Sequence, residues 1–267
     1  MNKLTINRFL KRILGIYHFM RFNYYKTLLV NFRLLPFRQA IRFPIVVYTP
    51  CETLIRRSRL VFADDLKLTF GLVALGRNDD KFVSSKNPLF IMMLDSVIHV
   101  SGKFRLSPGC TIRMDHGCLS LGKHTAVGGG SMLLCNNSIT IGDYVQFAFR
   151  CVCCDTDYHY ISSNNNVNDC KATVVIGDRT WIGNNCSIGK GTVLPSSSIL
   201  ASRSMTNKDY SQFEPGSLFV GTPARFLKAG CFRIHDQDIE RHIRDYFSES
   251  TEVYHITKEE FDQSQYR

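Results

Sequence analysis

The ten residues from Cys151 to Tyr160, CVCCDTDYHY, hold three thiols, two carboxylic acids and a histidine. Such a set could ligate a metal through thiolates, attack a substrate through cysteine, or move a proton through histidine. A structural zinc site wants cysteines at C-x2-C spacing with a second pair elsewhere. Cys151 and Cys154 have that spacing, but the sequence holds no second such pair, so no metal is expected. Proton transfer asks for different groups. A histidine titrates near neutrality and can take a proton from an attacking hydroxyl. An acid bonded to its far ring nitrogen would fix the tautomer and stabilise the imidazolium. His159 has Asp155 and Asp157 just before it. Either acid could be that partner; Asp157 could equally be a turn residue bonding to nearby backbone.

The elements that must position these groups are legible as a repeat. Steps of six from Ile176 give Ile176, Ile182, Ile188, Leu194 and Leu200, all aliphatic. The next residues are Gly177, Gly183, Gly189, Pro195 and Ala201, and four after each aliphatic stand Thr180, Cys186, Thr192, Ser198 and Ser204, all small. An earlier block keeps this pattern at Leu106, Ile112, Leu121, Val127 and Leu133, then slips by two residues to Ile141 and Phe147. Cys110, Thr125, Ser131, Val145 and Cys151 take its small position.

A period of six is not a multiple of 3.6 and argues against a helix. It fits a short strand plus a turn, three of which close a triangular coil of about 18 residues. The aliphatic side chains then point inward, and stacked coils satisfy one another's backbone groups. In this phase Cys151 and Cys153 belong inside the prism, with Cys154 the more exposed thiol. The chain is expected to leave the coil at about Asp155, and the polar run 162–171, SSNNNVNDCK, to form a loop beside the histidine.

The units Ile176-Gly-Asp-Arg-Thr-Trp, Ile182-Gly-Asn-Asn-Cys-Ser and Ile188-Gly-Lys-Gly-Thr-Val, followed by VGTPARFLK at 220–228, resemble the hexapeptide-repeat acyltransferases over roughly residues 95–228. The segment DTDYHYI resembles the sugar and polysaccharide O-acetyltransferases of the maltose, galactoside and nodulation-factor type. NFRLLPFRQAIRFPIVVY resembles the leader of surface-glycan acetyltransferases. The resemblance implies a mainly β fold, a left-handed parallel β-helix, against the usual right-handed crossover. It implies an acetyl-CoA-dependent O-acetyltransferase acting on a hydroxyl of a sugar or surface-polysaccharide precursor. Transfer would be direct, with His159 as general base and no thiol nucleophile. A homotrimer with sites between subunits is implied too.

Carried over by position, Asn184, Ser202, Asn207 and Lys208 would lie along the pantetheine of CoA. Arg225 and Lys228 would meet its phosphates. Lys208 and Lys228 could also be simple surface charge. Arg203 stands where the family usually has glycine, and Asn207 where it often has threonine. Trp181 would wall the groove. Asn136 and Asn137 could bond to sugar hydroxyls or make a turn. The alternatives within reach are a serine or amino-sugar N-acetyltransferase of the same fold, and a non-catalytic oligomeric scaffold. γ-Class carbonic anhydrases share the fold, but His116, His124 and His159 do not match their three-ligand spacing. A nucleotidyltransferase would need a Gly-rich nucleotide domain, which residues 1–95 lack.

The 267 residues are 44% hydrophobic and 21% charged, enough apolar material for a sizeable core without disulfides. The ten cysteines have no regular framework and read as reduced, buried residues of a cytoplasmic protein. No secretory signal or membrane-spanning run is expected. The net charge of +10 is concentrated at one end: residues 1–62 hold twelve Lys and Arg against the single acid Glu52. Such a segment suits either an anionic surface, a membrane and no nucleic acid, or simply a solvated basic face. Residues 3–22 have the spacing of a basic amphipathic helix. The expected organisation is a basic segment over 1–60, the β-helix over 61–228, and a tail over 229–267 whose helix, around DQDIERHIRDYF, caps the open end of the column.

Overall fold

The aliphatic residue of every hexapeptide turns into the axis of a three-sided column. The computed structural model describes residues 22–78, 84 and 86–266. The amphipathic helix expected over 3–22 lies almost wholly outside them. Three sheets, of nine, seven and six strands, form the faces, and each full coil gives one strand to each face. All pairings along the column are parallel until the last strand of the nine-stranded face.

In the later coils Ile176 stacks beside Leu194, Ile182 beside Leu200 and Ile188 beside Thr206, eighteen residues apart. In the earlier coils Ile112 stacks beside Leu133 and Leu121 beside Ile141, a wider spacing. The strands there are longer, such as Thr111–Asp115 against Ser187–Ile188. The two-residue slip in the sequence is therefore a longer strand accommodated on one face. Leu121, Val127, Leu133, Ile141, Phe147, Ile176, Ile182, Ile188, Leu194 and Leu200 are all buried in one continuous core.

The glycine after Ile176 and Ile182 has a steric cause. A Cβ on Gly183 would lie 2.5 Å from Ser202 N, and one on Gly177 2.5 Å from Ser196 N. The next coil's backbone passes where a side chain would stand. Two residues later the chain turns through the left-handed region, at Arg179, Asn185, Gly191, Ser197 and Arg203. Arg203 thus has the same backbone conformation as Gly191, with its side chain outward.

Helix α1 (Tyr24–Leu34) covers the first coil. Its inward residues Thr27, Val30, Asn31 and Leu34 are spaced for one helical face. Asn31 is fully buried: Nδ2 donates to Ile45 O at 2.7 Å and Oδ1 accepts from Ile45 N at 3.2 Å, while Thr27 Oγ1 accepts from Val47 N at 3.0 Å. Ile45–Val47 is the first strand of the nine-stranded face and pairs with Val73–Leu75. The column therefore begins at Ile45, and a boundary at residue 60 falls inside its first coil, within strand Arg59–Phe62.

The far end is closed differently from the expectation. Tyr210, Phe213, Phe219 and Phe226 pack as an aromatic plug, with Tyr210 hydroxyl donating to Ala224 O at 2.9 Å. With the end already filled, the tail doubles back along the nine-stranded face. Arg233 bonds to the Gln146 amide and lies 6.0 Å over Trp181. His235, Asp236 and Gln237 then line a cavity of about 550 Å³ with Ala74, Arg105 and Thr125, residues of the earlier coils. Helix α3 (Gln237–Glu249), following the short helix α2 (Phe37–Ala40), starts here; Asp236 caps it by accepting from Asp238 N and Ile239 N. On this helix Ile239 is buried and Phe247 is half-exposed. Among the described residues no helix is long and apolar enough to cross a membrane.

Candidate active site

Strand Val152–Cys154 of the seven-stranded face ends at Asp155, where the chain turns toward the six-stranded face. Asp155 is fully buried, and its two carboxylate oxygens accept from Asn136 N and Asn137 N, at 2.8 Å each. This carboxylate holds the turn of the preceding coil. Among the described residues no hydrogen bond joins it to the His159 ring, of which it was one of two expected partners. Asn136 and Asn137 bend the chain between two strands, with their backbone N–H groups on Asp155. Asn137 is exposed, whereas the side-chain oxygen of Asn136 is buried with no hydrogen-bond partner among the described residues.

Beyond Asp155 the chain makes an excursion that returns at Ala172. Ala172 N donates to Asp155 O at 3.0 Å and Asp157 N to Cys170 O at 2.8 Å, closing an antiparallel stem. The tip is a small hairpin, Ser162–Ser163 against Asn166–Val167. The expected loop over 162–171 thus begins some six residues earlier. Lys190 clasps the stem: Nζ lies 2.7 Å from Asp157 Oδ2 and donates to Asp169 O at 2.8 Å. It comes from the unit Ile188-Gly-Lys, one coil further on. The sequence reading passed over Lys190; its signal was a lysine at an outward position one coil after the ejected loop.

His159 is exposed on this clasped segment. Among the described residues neither Asp155 nor Asp157 bonds to its ring, since Asp157 is engaged by Lys190. The preceding Tyr158 adopts a left-handed φ of 59° and slides its ring under Arg113, whose guanidinium carbon is 4.8 Å from the ring centroid. Burial pushes the Tyr158 hydroxyl above its ordinary pKa. The two residues before His159 are thus anchored, Asp157 by the Lys190 clasp and Tyr158 by the stack with Arg113.

The thiols have a different part. All ten cysteines are unpaired, and Cys151 and Cys153 are buried as the repeat phase requires. Burial pushes Cys153 well above an ordinary thiol and raises Cys154 too, so neither is poised as a thiolate. Among the described residues no group of three or more His, Cys, Asp or Glu is placed to hold a metal ion.

The six residues carried over for the donor fall at three places. Asn207 and Lys208 follow strand Met205–Thr206 at the same corner as the histidine excursion; Lys208 O accepts from Val193 N at 3.2 Å. Asn207 packs close to Gly189, the neighbour of Lys190. Asn184 and Ser202 stand at the opposite edge of the seven-stranded face, where Ser202 Oγ accepts from Asn184 N at 3.1 Å and Asn184 Oδ1 from Phe149 N at 3.3 Å. Arg225 and Lys228 are exposed on the last strand, antiparallel to Leu218–Val220. Within one chain, then, only Asn207 and Lys208 join His159.

The six-residue repeat and the three parallel faces define a hexapeptide-repeat, left-handed β-helix protein. No family model matches the chain. A curated relative, the probable acetyltransferase Rv3034c of Mycobacterium tuberculosis, is 28% identical over 187 residues, 68% of this chain and 58% of that protein. The match therefore spans little more than half of that relative's length. Among solved structures, the polySia-specific acetyltransferase NeuO is similar with a TM-score of 0.51 and 17% identity, covering 79% of this chain and 85% of NeuO. The polysialic acid O-acetyltransferase OatWY is similar with a TM-score of 0.40 and 18% identity, covering 82% of this chain and 97% of its own.

Proposed function

We propose that the chain is an acetyl-CoA-dependent O-acetyltransferase acting on a hydroxyl of a sugar or surface-polysaccharide precursor. The observation that carries this is His159, exposed on an excursion that Lys190 clasps to the column beside Asn207 and Lys208. A base for an alcohol must be reachable by solvent-borne substrate yet fixed in place. The relative named a probable acetyltransferase supports the same reading.

In the reaction, His159 takes the proton of the acceptor hydroxyl as its oxygen attacks the thioester carbonyl. A C–O bond forms, the C–S bond breaks, and the proton passes from the imidazolium to the leaving sulfur. Backbone N–H groups at a coil corner are the natural donors to the developing oxyanion. Asn184 and Ser202 sit a full face away from His159 in one chain. A groove between two parallel columns would bring that edge of one subunit to the histidine corner of another, as in a homotrimer with shared sites. Asn207, Lys208, Asn184 and Ser202 would flank the donor's pantetheine, and Arg225 and Lys228 its phosphates. The enzyme would work in the cytoplasm at the inner face of the membrane, touching it through its basic N-terminal segment.

The test is acetyl-CoA turnover against a panel of sugars and glycan precursors, read as thiol release. The full chain should release CoA with a subset of acceptors. His159→Ala should lower that rate by about 10²–10⁴-fold, with acetyl-CoA binding retained. Full activity in the variant would remove His159 as the base.

A further inference from the structure

Helix α1 is apolar on both sides. Thr27, Val30, Asn31 and Leu34 face the column, but Tyr25, Leu28 and Phe32 form a second stripe at the same spacing on the opposite face. A surface helix normally turns polar residues outward. Here Tyr25 is 68% exposed, Leu28 50% and Phe32 42%, and beyond the helix Phe37 is 69% and Ile41 50% exposed. The first four of these residues adjoin one another. Tyr25, Leu28 and Phe32 share one groove, and the Phe32 ring lies 5.9 Å from Phe37 and 6.3 Å from Phe43. An aromatic face of this kind at the end of a column marks an interaction surface.

The charge around it says with what. From Phe22 to Cys51 there is no Asp or Glu, while Lys26, Arg33, Arg38 and Arg42 are interspersed with the apolar residues. The nearest acids along the chain are Glu52, and Asp64 and Asp65 on the segment leading to Phe70. Arg33, Arg38 and Arg42 are exposed. A second copy packed on this face by two-fold symmetry would set arginine against arginine. A bilayer with anionic headgroups satisfies both components at once. Aromatic and aliphatic side chains enter the headgroup–acyl boundary, and the arginines meet the lipid phosphates.

We propose that the outer face of residues 24–42, formed by Tyr25, Leu28, Phe32, Phe37 and Ile41 with Arg33, Arg38 and Arg42, docks onto an anionic membrane surface. This sharpens the membrane contact proposed above and rests on it, though not on acyl transfer. It makes the folded end of the column itself the contact, so the column stands on the bilayer on its first coil.

The experiment uses the full chain with phosphatidylcholine vesicles, with and without phosphatidylserine, at low and high salt. Binding should require phosphatidylserine and weaken with salt. Leu28→Ser/Phe32→Ser/Phe37→Ser should lower partitioning by about tenfold at both salts. Arg33→Glu/Arg38→Glu/Arg42→Glu should erase the preference for phosphatidylserine. Both sets are exposed, so thermal melts should match the wild type; the charge set keeps the idea testable if the serine set misfolds. The proposal is overturned if both sets bind as the wild type does while Lys3→Glu/Arg8→Glu/Lys11→Glu/Arg12→Glu abolishes binding, which would leave the contact to the extreme N-terminus. It is overturned in favour of a second copy if the serine set abolishes self-association and no variant binds vesicles. Absence of vesicle binding by the full chain would overturn this proposal and the membrane reading together.

Discussion

The ammonium of Lys190 bridges the two strands of the histidine excursion, 2.7 Å from the Asp157 carboxylate and 2.8 Å from the Asp169 carbonyl oxygen. Asp157, expected either to orient the histidine or to form a turn, instead anchors the loop that carries it. Lys190→Met should loosen the stem, speed amide exchange over 157–169, and lower kcat by about tenfold or more with little effect on donor KM. Asp157→Asn should do likewise, and the double variant should be no worse than either single one. Additive losses would show that the two residues act separately.

Asp155 gives the opposite kind of prediction. Its buried oxygens each accept a backbone N–H, so Asp155→Asn replaces one acceptor by a donor facing a donor. Stability should fall by about 1–3 kcal/mol, read by urea unfolding. The pH profile of any remaining activity should keep its shape. A shifted profile at unchanged stability would restore Asp155 as the partner of His159.

The tail packed on the nine-stranded face carries a pH sensitivity. Burial, and then the nearby Arg233 charge, lower the His235 pKa from 6.5 to about 4. The unfolded chain therefore binds a proton between these values that the folded chain refuses. Stability is at its full value above pH 6.5 and is lost as pH falls toward 4, by about 1–3 kcal/mol once solvent screening is allowed for. His235→Gln should flatten that part of the stability curve; an unchanged slope would assign it to other groups.

Gly183 offers a test of the donor edge. A methyl group there would press on Ser202 N, 2.5 Å away, and spread the corner that Asn184 and Ser202 share. Gly183→Ala should cost about 1–3 kcal/mol of stability and raise the KM for acetyl-CoA more than it lowers kcat. An unaltered KM would place the donor elsewhere.

The column was legible because its rule is local: one inward aliphatic and one small corner residue repeated from Ile176 to Leu200, with a glycine under the next coil in the first three units. Cys151 and Cys153 could be assigned to the interior for the same reason. The first coils were harder to see. Strands such as Cys51–Arg56 and Leu89–Leu94 are longer, and their stacking partners are separated by insertions, so no six-residue period announces them. The roles of the two acids were not legible either. Asp155 bonds to backbone from the preceding coil and Asp157 to a lysine from the following one, and a sequence does not display its neighbours across coils. The fate of the tail was set by competition: the plug of Tyr210, Phe213, Phe219 and Phe226 had already filled the end that a capping helix was expected to cover.

A stack of parallel rungs is open-ended by nature, because its first rung offers the same unpaired N–H and C=O groups that every other rung uses to recruit the next. By presenting an amide to Ile45 from a helix, Asn31 imitates a further rung without being one. At that strand it closes the edge on which a further rung would otherwise pair.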